Sequence, residues 1–435
     1  MSNTVTTTVS TGEAVRLPPP TNKTSLEPAP VYDVSKLSDD RTQTLRRLLE
    51  QGHAAVAPLR NPQLILHSHL PHLLGSAYAL GADAEQLTRT YKHDIETLVK
   101  IDESFIRGDK VTRENWREFL GNKEYTVAYV DFFDDEVRRN GGDWEKVVHE
   151  YLYSGAEPLI NGFCGGLGHP FIHLAYGYEF RIPEVVTQAL SLGCTEYVVC
   201  HGLLDNPPPI PSPYKTRSLA EVIRRVQKDP RFDGIVEFPG TVNFGTVLQH
   251  RFEAFMEHWN AWEVTDPVQQ FEQCCDLSVV LAISPTEYGP GKYDFFYAHI
   301  MTVAHALRIL FHEFPADRRV SILRQYAFFT ILIYILQNRL SFGIERIESV
   351  VVDTGSGGPG NWDAITQRAL KHRWALDDHF FKVVRAIKAF AETYGDKDGF
   401  YLKAATKYVT DFNGWEGFGE GIMGFLPSRD GYIPA

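Results

Sequence analysis

Residues Asn161–Phe180, NGFCGGLGHPFIHLAYGYEF, govern how the rest of the chain is read. Gly165, Gly166 and Gly168 allow a tight backbone approach, and the fixed φ of Pro170 suits a first helical turn, so a helix is predicted to begin near His169. His173 lies four residues on and shares a face with His169. Two imidazoles one turn apart can aim nitrogens at one point, which is a metal-binding arrangement. A capping histidine followed by a buried one is the structural alternative.

Histidines recur in comparable settings on either side. Upstream, DDRTQTLRRLLEQGHAAVA from Asp39 reads as a capped helix ending near Gly52, and LILHSHLPHLLGSAYALGA follows, with Pro71 opening a helix that closes at Gly81. His67, His69 and His72 stand at its entry, where a solvated polar turn would account for at least two of them. Downstream, DFFYAHIMTVAHALRILFHEF is a strongly apolar helix carrying His299 and His305. A buried imidazole needs a partner, which is either a metal or a backbone carbonyl.

WALDDHFFKVVRAIKAF places His379 and Lys382 three apart on one helical face whose neighbours are apolar. Desolvation lowers a lysine pKa, and a neutral amine can react with carbon dioxide to give a carbamate, a two-oxygen metal ligand. An ion pair of Lys382 with Asp377 or Asp378 is the competing reading.

Residues 84–160 carry amphipathic helical patterns with no convincing alternation of period two. The expected architecture is therefore all-α, one large bundle-like helical body over residues 37–435. A Ser/Thr/Pro-rich arm, extended or disordered, covers residues 1–36. FDGIVEF is expected to be a short extended piece, and the Pro-rich Asn206–Tyr214 a stiff loop of binding or lid character.

With 435 residues, of which 43% are hydrophobic and 12% aromatic, the chain can bury a large core and offer flat apolar walls to a ligand. The net charge of −12 disfavours a nucleic-acid partner. Five cysteines without a CxxC pair point to a reducing compartment. The polar N-terminus lacks a secretory core, and the apolar run Ala327–Leu336 is about half the ~20 residues that span a bilayer, so it reads as a buried helix. A cytoplasmic protein without a membrane partner is expected, and a homodimer is left open. Gly355, Gly357 and Gly360 have dinucleotide-fingerprint spacing, but Pro359 stiffens the turn and βαβ alternation is lacking, so a flexible loop is expected there. His93-Asp94 reads as a surface pair rather than an HD phosphohydrolase motif.

Taken together, HSHLPHLLGSAYALGA, GHPFIHLAYGYEF, HGLLDNPPPIP, DFFYAHIMTVAHALR and DDHFFKVVRA resemble the questin oxidase-like family over about Asn61 to Arg385. The resemblance implies an all-helical fold and a non-haem Fe(II) centre held by histidines and a carboxylated lysine. It also implies a fungal oxygenase of secondary metabolism that uses dioxygen to open the quinone ring of an anthraquinone-type polyketide, a Baeyer-Villiger-like insertion. Carried onto this chain, the metal ligands it implies are His69, His169, His299, His379 and Lys382, the last as the carbon dioxide carbamate. Ser68 departs from the family's usual Asn before the first of these. His173 is an alternative ligand or supporting catalytic residue, and Tyr176, with Tyr178 and Tyr297, a candidate donor to the substrate carbonyl.

NADPH, used by some Baeyer-Villiger oxidases of the family, is allowed but not favoured. A second reading comes from Leu64-Ile65-Leu66 followed by His67-Ser68-His69, which imitates a metal-dependent amidohydrolase; those enzymes need a β/α barrel. A third is a non-catalytic helical scaffold that binds a flat ligand.

Overall fold

Aspartate caps and first-turn prolines set where the main helices begin. The computed structural model describes residues 15–60, 66–101, 110–197, 200–352 and 361–419. Asp39 accepts from the Thr42 amide and opens the helix Asp40–Ala55, which runs three residues past Gly52. Pro71 and Pro170 occupy the first turns of Leu70–Ala79 and His169–Phe180. Asp266, Asp294 and Asp377 cap Pro267–Ile283, Phe295–Leu310 and Asp378–Tyr394 through the amides that follow them.

Eighteen α-helices and a few very short strands make up the described residues, so the protein is all-α. Val56–Arg60 pairs antiparallel with Leu66–His67 on one side and Leu98–Lys100 on the other. Tyr293–Asp294 pairs in parallel with Trp415–Glu416. No barrel exists among the described residues: the strand ending at His67 closes a three-stranded patch, which removes the support for the amidohydrolase reading.

One large apolar core takes in side chains from Leu26 to Trp415, with a small satellite of Ala57, Leu59, Val99 and Val127 beneath the sheet. All residues of His169–Phe180 and of Phe295–Leu310 are buried. Within Ala316–Leu336, 78% of the most apolar 18-residue stretch is buried in the body, as in a core helix. All five cysteines are free thiols.

Described residues of the arm are extended and docked rather than disordered. Leu26 and Val34 enter the core, Lys23 Nζ donates to the Thr393 carbonyl at 2.6 Å, and the Tyr32 amide donates to the Glu179 carbonyl at 2.7 Å. FDGIVEF forms turns and bends instead of an extended piece, following a tight turn at Pro230–Phe232. Asp94 is buried beside Arg60, not on the surface. The glycine-rich residues 353–360, including Gly355, Gly357 and Gly360, lie outside the described residues.

Candidate active site

Four of the core helices close a ring: Leu70–Ala79 packs on His169–Phe180, that helix on Phe295–Leu310, the latter on Asp378–Tyr394, and this in turn on Leu70–Ala79. Each delivers one histidine from near its N-terminal end. His69 is the residue preceding the first helix, His169 and His379 fall in first turns, and His299 is one turn further in. The positive ends of four helix dipoles therefore surround the imidazoles, and they disfavour protonated rings.

Hydrogen bonding fixes the tautomer of all four. Nδ1 of His69 donates to Asp378 Oδ2 at 2.6 Å, and Nδ1 of His379 to Asp378 Oδ1 at 2.7 Å, so one carboxylate orients two rings. Nδ1 of His169 donates to the Gly166 carbonyl at 2.5 Å, and Nδ1 of His299 to the Phe295 carbonyl at 2.9 Å. With every Nδ1 committed as a donor, each Nε2 is a bare lone pair. These lone pairs face one another, 2.5 Å apart between His69 and His169 and 3.2 Å apart between His379 and His299. Lone pairs so placed repel, and a cation among them turns the repulsion into coordination.

Burial, reinforced by neighbouring positive charge, pushes the pKa of His69, His169 and His299 well down, and His379 down to about 4, so the rings are neutral at pH 7. The Asp378 carboxyl is driven well below its ordinary value: burial opposes ionisation, but His69, His379 and Arg60 outweigh it. Asp377 next to it is pushed up to about 7 by burial and by the charge on Asp378.

Lys382 is 1% exposed, and its Nζ has no hydrogen-bond partner. It makes no ion pair with Asp377 or Asp378 among the described residues, contrary to the competing sequence reading. Desolvation, partly offset by those two aspartates, brings its pKa down to about 8. An orphaned, partly neutral amine within electrostatic reach of all four imidazoles fits a group that is completed by a further atom set.

The imidazoles open into a cavity of about 450 Å3, within the ~300–1,000 Å3 usual for small-molecule sites. Its walls are chiefly aromatic and aliphatic, including Phe295, Phe296, Phe328, Phe329 and Trp415. Polar groups enter at the edges. His67 stacks on His169 with ring centroids 4.2 Å apart and shares a 2.7 Å hydrogen bond with Glu196, which also pairs with Lys123 at 2.5 Å.

Other residues singled out in the sequence lie elsewhere. His173 hydrogen-bonds His72 and Gln188, the Tyr176 hydroxyl bonds Ser76 at 2.6 Å, and neither residue lines the cavity. Tyr178 and Tyr297 are likewise buried away from it. His305 packs edge-on to Phe390 with Nε2 unpartnered. Asp378, Arg60 and the His67–Glu196 pair were not predicted as site residues. Only the DDH tripeptide hinted at Asp378, because His67 and Glu196 are 129 residues apart.

Residues 66–387 match the model of the questin oxidase-like family. The chain belongs to this family. The match takes in His69, His169, His299, His379 and Lys382. Among curated relatives, the chain is 27% identical to the questin oxidase of Aspergillus terreus over 57% of this chain and 58% of that protein. It is 24% identical to the questin oxidase of Aspergillus fumigatus and 24% identical to a Baeyer-Villiger oxidase of Pestalotiopsis microspora, each over 74% of this chain and 75% of the relative.

Proposed function

We propose that the protein is an oxidoreductase that opens the quinone ring of an anthraquinone-type polyketide by a Baeyer-Villiger-like oxygen insertion, with Fe(II) as its metal. The names of its relatives support the reaction class. Two facing Nε2 pairs, His69 with His169 and His379 with His299, in the wall of an aromatic cavity are the observation that carries the metal.

His69, His169, His299 and His379 would hold the ion, with the Lys382 carbamate supplying oxygen. Imidazoles with a carboxylate-type oxygen suit Fe(II), which when bound supplies the one-electron chemistry that dioxygen needs. The chain's own residues do the rest. Asp378 fixes two rings through its two oxygens, and Arg60, 2.5 Å from Oδ2, keeps that carboxylate ionised. Phe295, Phe296, Phe328, Phe329 and Trp415 seat a flat ring system and exclude water from the reacting centre. Oxygen insertion beside a ring carbonyl puts one atom of dioxygen into an ester, and the other leaves as water with the two electrons and two protons of the hydroquinone form of the substrate. Hydrolysis of the ester opens the ring. NADPH is not required by this reading.

The test is oxygen consumption by protein purified without chelators, on addition of emodin reduced to its hydroquinone and against an enzyme-free control, with mass spectrometry of the product. Uptake coupled to gain of oxygen and ring opening is expected. Hydrolysis of esters or amides without oxygen uptake would contradict it.

A further inference from the structure

The cavity contains a second histidine system besides the four rings at the candidate metal site. His201 and Asp205, the first and last residues of the short helix His201–Asp205 within HGLLDN, are held i,i+4 by the helical turn. His201 Nδ1 donates to Asp205 Oδ2 at 2.6 Å, and Asn161 Nδ2 donates to Asp205 Oδ1 at 2.6 Å. Both carboxylate oxygens are thus engaged, and the ring is steadied by Tyr197, stacked with centroids 4.0 Å apart. The Asp205 side chain is 8% exposed while that of His201 is 21% exposed, so the carboxylate is dry and the ring reaches open space. His201 and Asn161 line the cavity.

Six histidines line that cavity. Four have Nε2 facing another Nε2, and His67 gives its Nε2 to Glu196. His201 is the one whose Nε2 makes no hydrogen bond among the described residues. A carboxylate on Nδ1 places the proton there and leaves Nε2 as an oriented base, the relation between base and positioning acid found in catalytic dyads.

We propose that His201 is the base that takes the proton from a ring hydroxyl of the substrate, with Asp205 and Asn161 as its positioning residues. The inference rests on the reading of the cavity as a hydroxyquinone site. The substrate O–H bond breaks, an N–H bond forms at Nε2, the imidazolium is paired with Asp205, and the substrate remains as an electron-rich phenolate. Electrons are not transferred in this step. Charged groups around the ring are Asp205 on its own helix, Arg117 and Glu157 near the Tyr197 that it stacks on, Lys123 paired with Glu196 on the cavity wall, and Arg60 with Asp378 among the cavity's other lining residues.

Emodin changes its visible absorption on ionisation, which makes it the probe. It is titrated into iron-containing wild-type protein and into His201→Asn and Asp205→Asn variants of equal iron content, and absorption is followed across neutral pH. In wild type the bound dye should ionise about one pH unit or more below the free dye, a tenfold effect or greater. His201→Asn should abolish that shift, and Asp205→Asn should reduce it. A neutral dye bound to wild type, or a shift that survives in His201→Asn and disappears only when iron is chelated, overturns the proposal while the cavity reading stands. Failure of wild type to bind emodin overturns both.

Discussion

His69 and His169, a hundred residues apart in the chain, lie with rings parallel to within 1° and Nε2 atoms 2.5 Å apart. Each ring carries its proton on the far nitrogen, so the short separation brings two lone pairs together. His379 and His299 also face Nε2 to Nε2, at 3.2 Å, with their rings tilted by 57°. Such a cluster is intelligible when the nitrogens share a cation.

Asp378 should behave as the organiser of the cluster. In Asp378→Asn, one oxygen is replaced by an amide that donates toward an Nδ1 which is itself a donor, so His69 or His379 must turn. Loss of a carboxylate supporting metal-bound imidazoles lowers metal affinity by about 10- to 100-fold. Competition against a calibrated chelator should show that loss with helical content unchanged.

Lys382 should take up carbon dioxide. A buried amine brought down to about 8 is substantially neutral near that pH, and the neutral form is the one that adds carbon dioxide. Protein equilibrated with carbon-13 bicarbonate should give a carbamate carbon signal that is absent in Lys382→Ala. Exhaustive removal of carbon dioxide should also lower the bound iron.

Gly168 sets the angle at which His169 enters. Its φ is +75°, and a Cβ there would meet Val303 Cγ2 at 2.4 Å, on the helix that carries His299. Gly168→Ala should therefore destabilise the fold by about 1–2 kcal/mol from the left-handed backbone alone, and more from the clash. A lowered Tm together with reduced iron content is expected.

Acid stability should depend on Glu196. Burial pushes its carboxyl up, but His67 and Lys123 outweigh this and bring it to about 2. His67 is itself pushed down by burial and is neutral at pH 7, so Lys123 carries the charge pairing there. With the folded value below the unfolded one, the contribution is present above about pH 4.5 and disappears as pH falls toward 2. Denaturant midpoints measured down that range should fall more steeply for wild type than for Glu196→Gln.

The parts of the molecule legible in the sequence are those written locally. Asp39, Asp294 and Asp377 cap helices whose first amides follow within three residues, and Pro71 and Pro170 sit in first turns, so the helical architecture could be read from neighbours. Strands such as Leu66–His67 and Tyr293–Asp294 are two residues long, too short for any alternation to register, and exist because of partners elsewhere in the chain. The docking of the arm is not legible in its own residues because the groups that hold it, such as the Thr393 and Glu179 carbonyls, lie far downstream. At the site, the i,i+3 relation of His379 to Lys382 was visible. The double use of Asp378, which bridges to His69 across 309 residues, is a product of helix packing and was not. The same packing placed Asp94 inside, where sequence alone suggested the surface.

The most direct measurement is elemental analysis of protein purified without chelators, alongside His169→Ala, His299→Ala and Lys382→Ala. The account predicts about one iron per wild-type chain and marked loss of iron in each variant with the helical fold retained. A wild-type protein without stoichiometric iron, or variants that retain it in full, would contradict the shared ion on which the proposed oxygen chemistry depends.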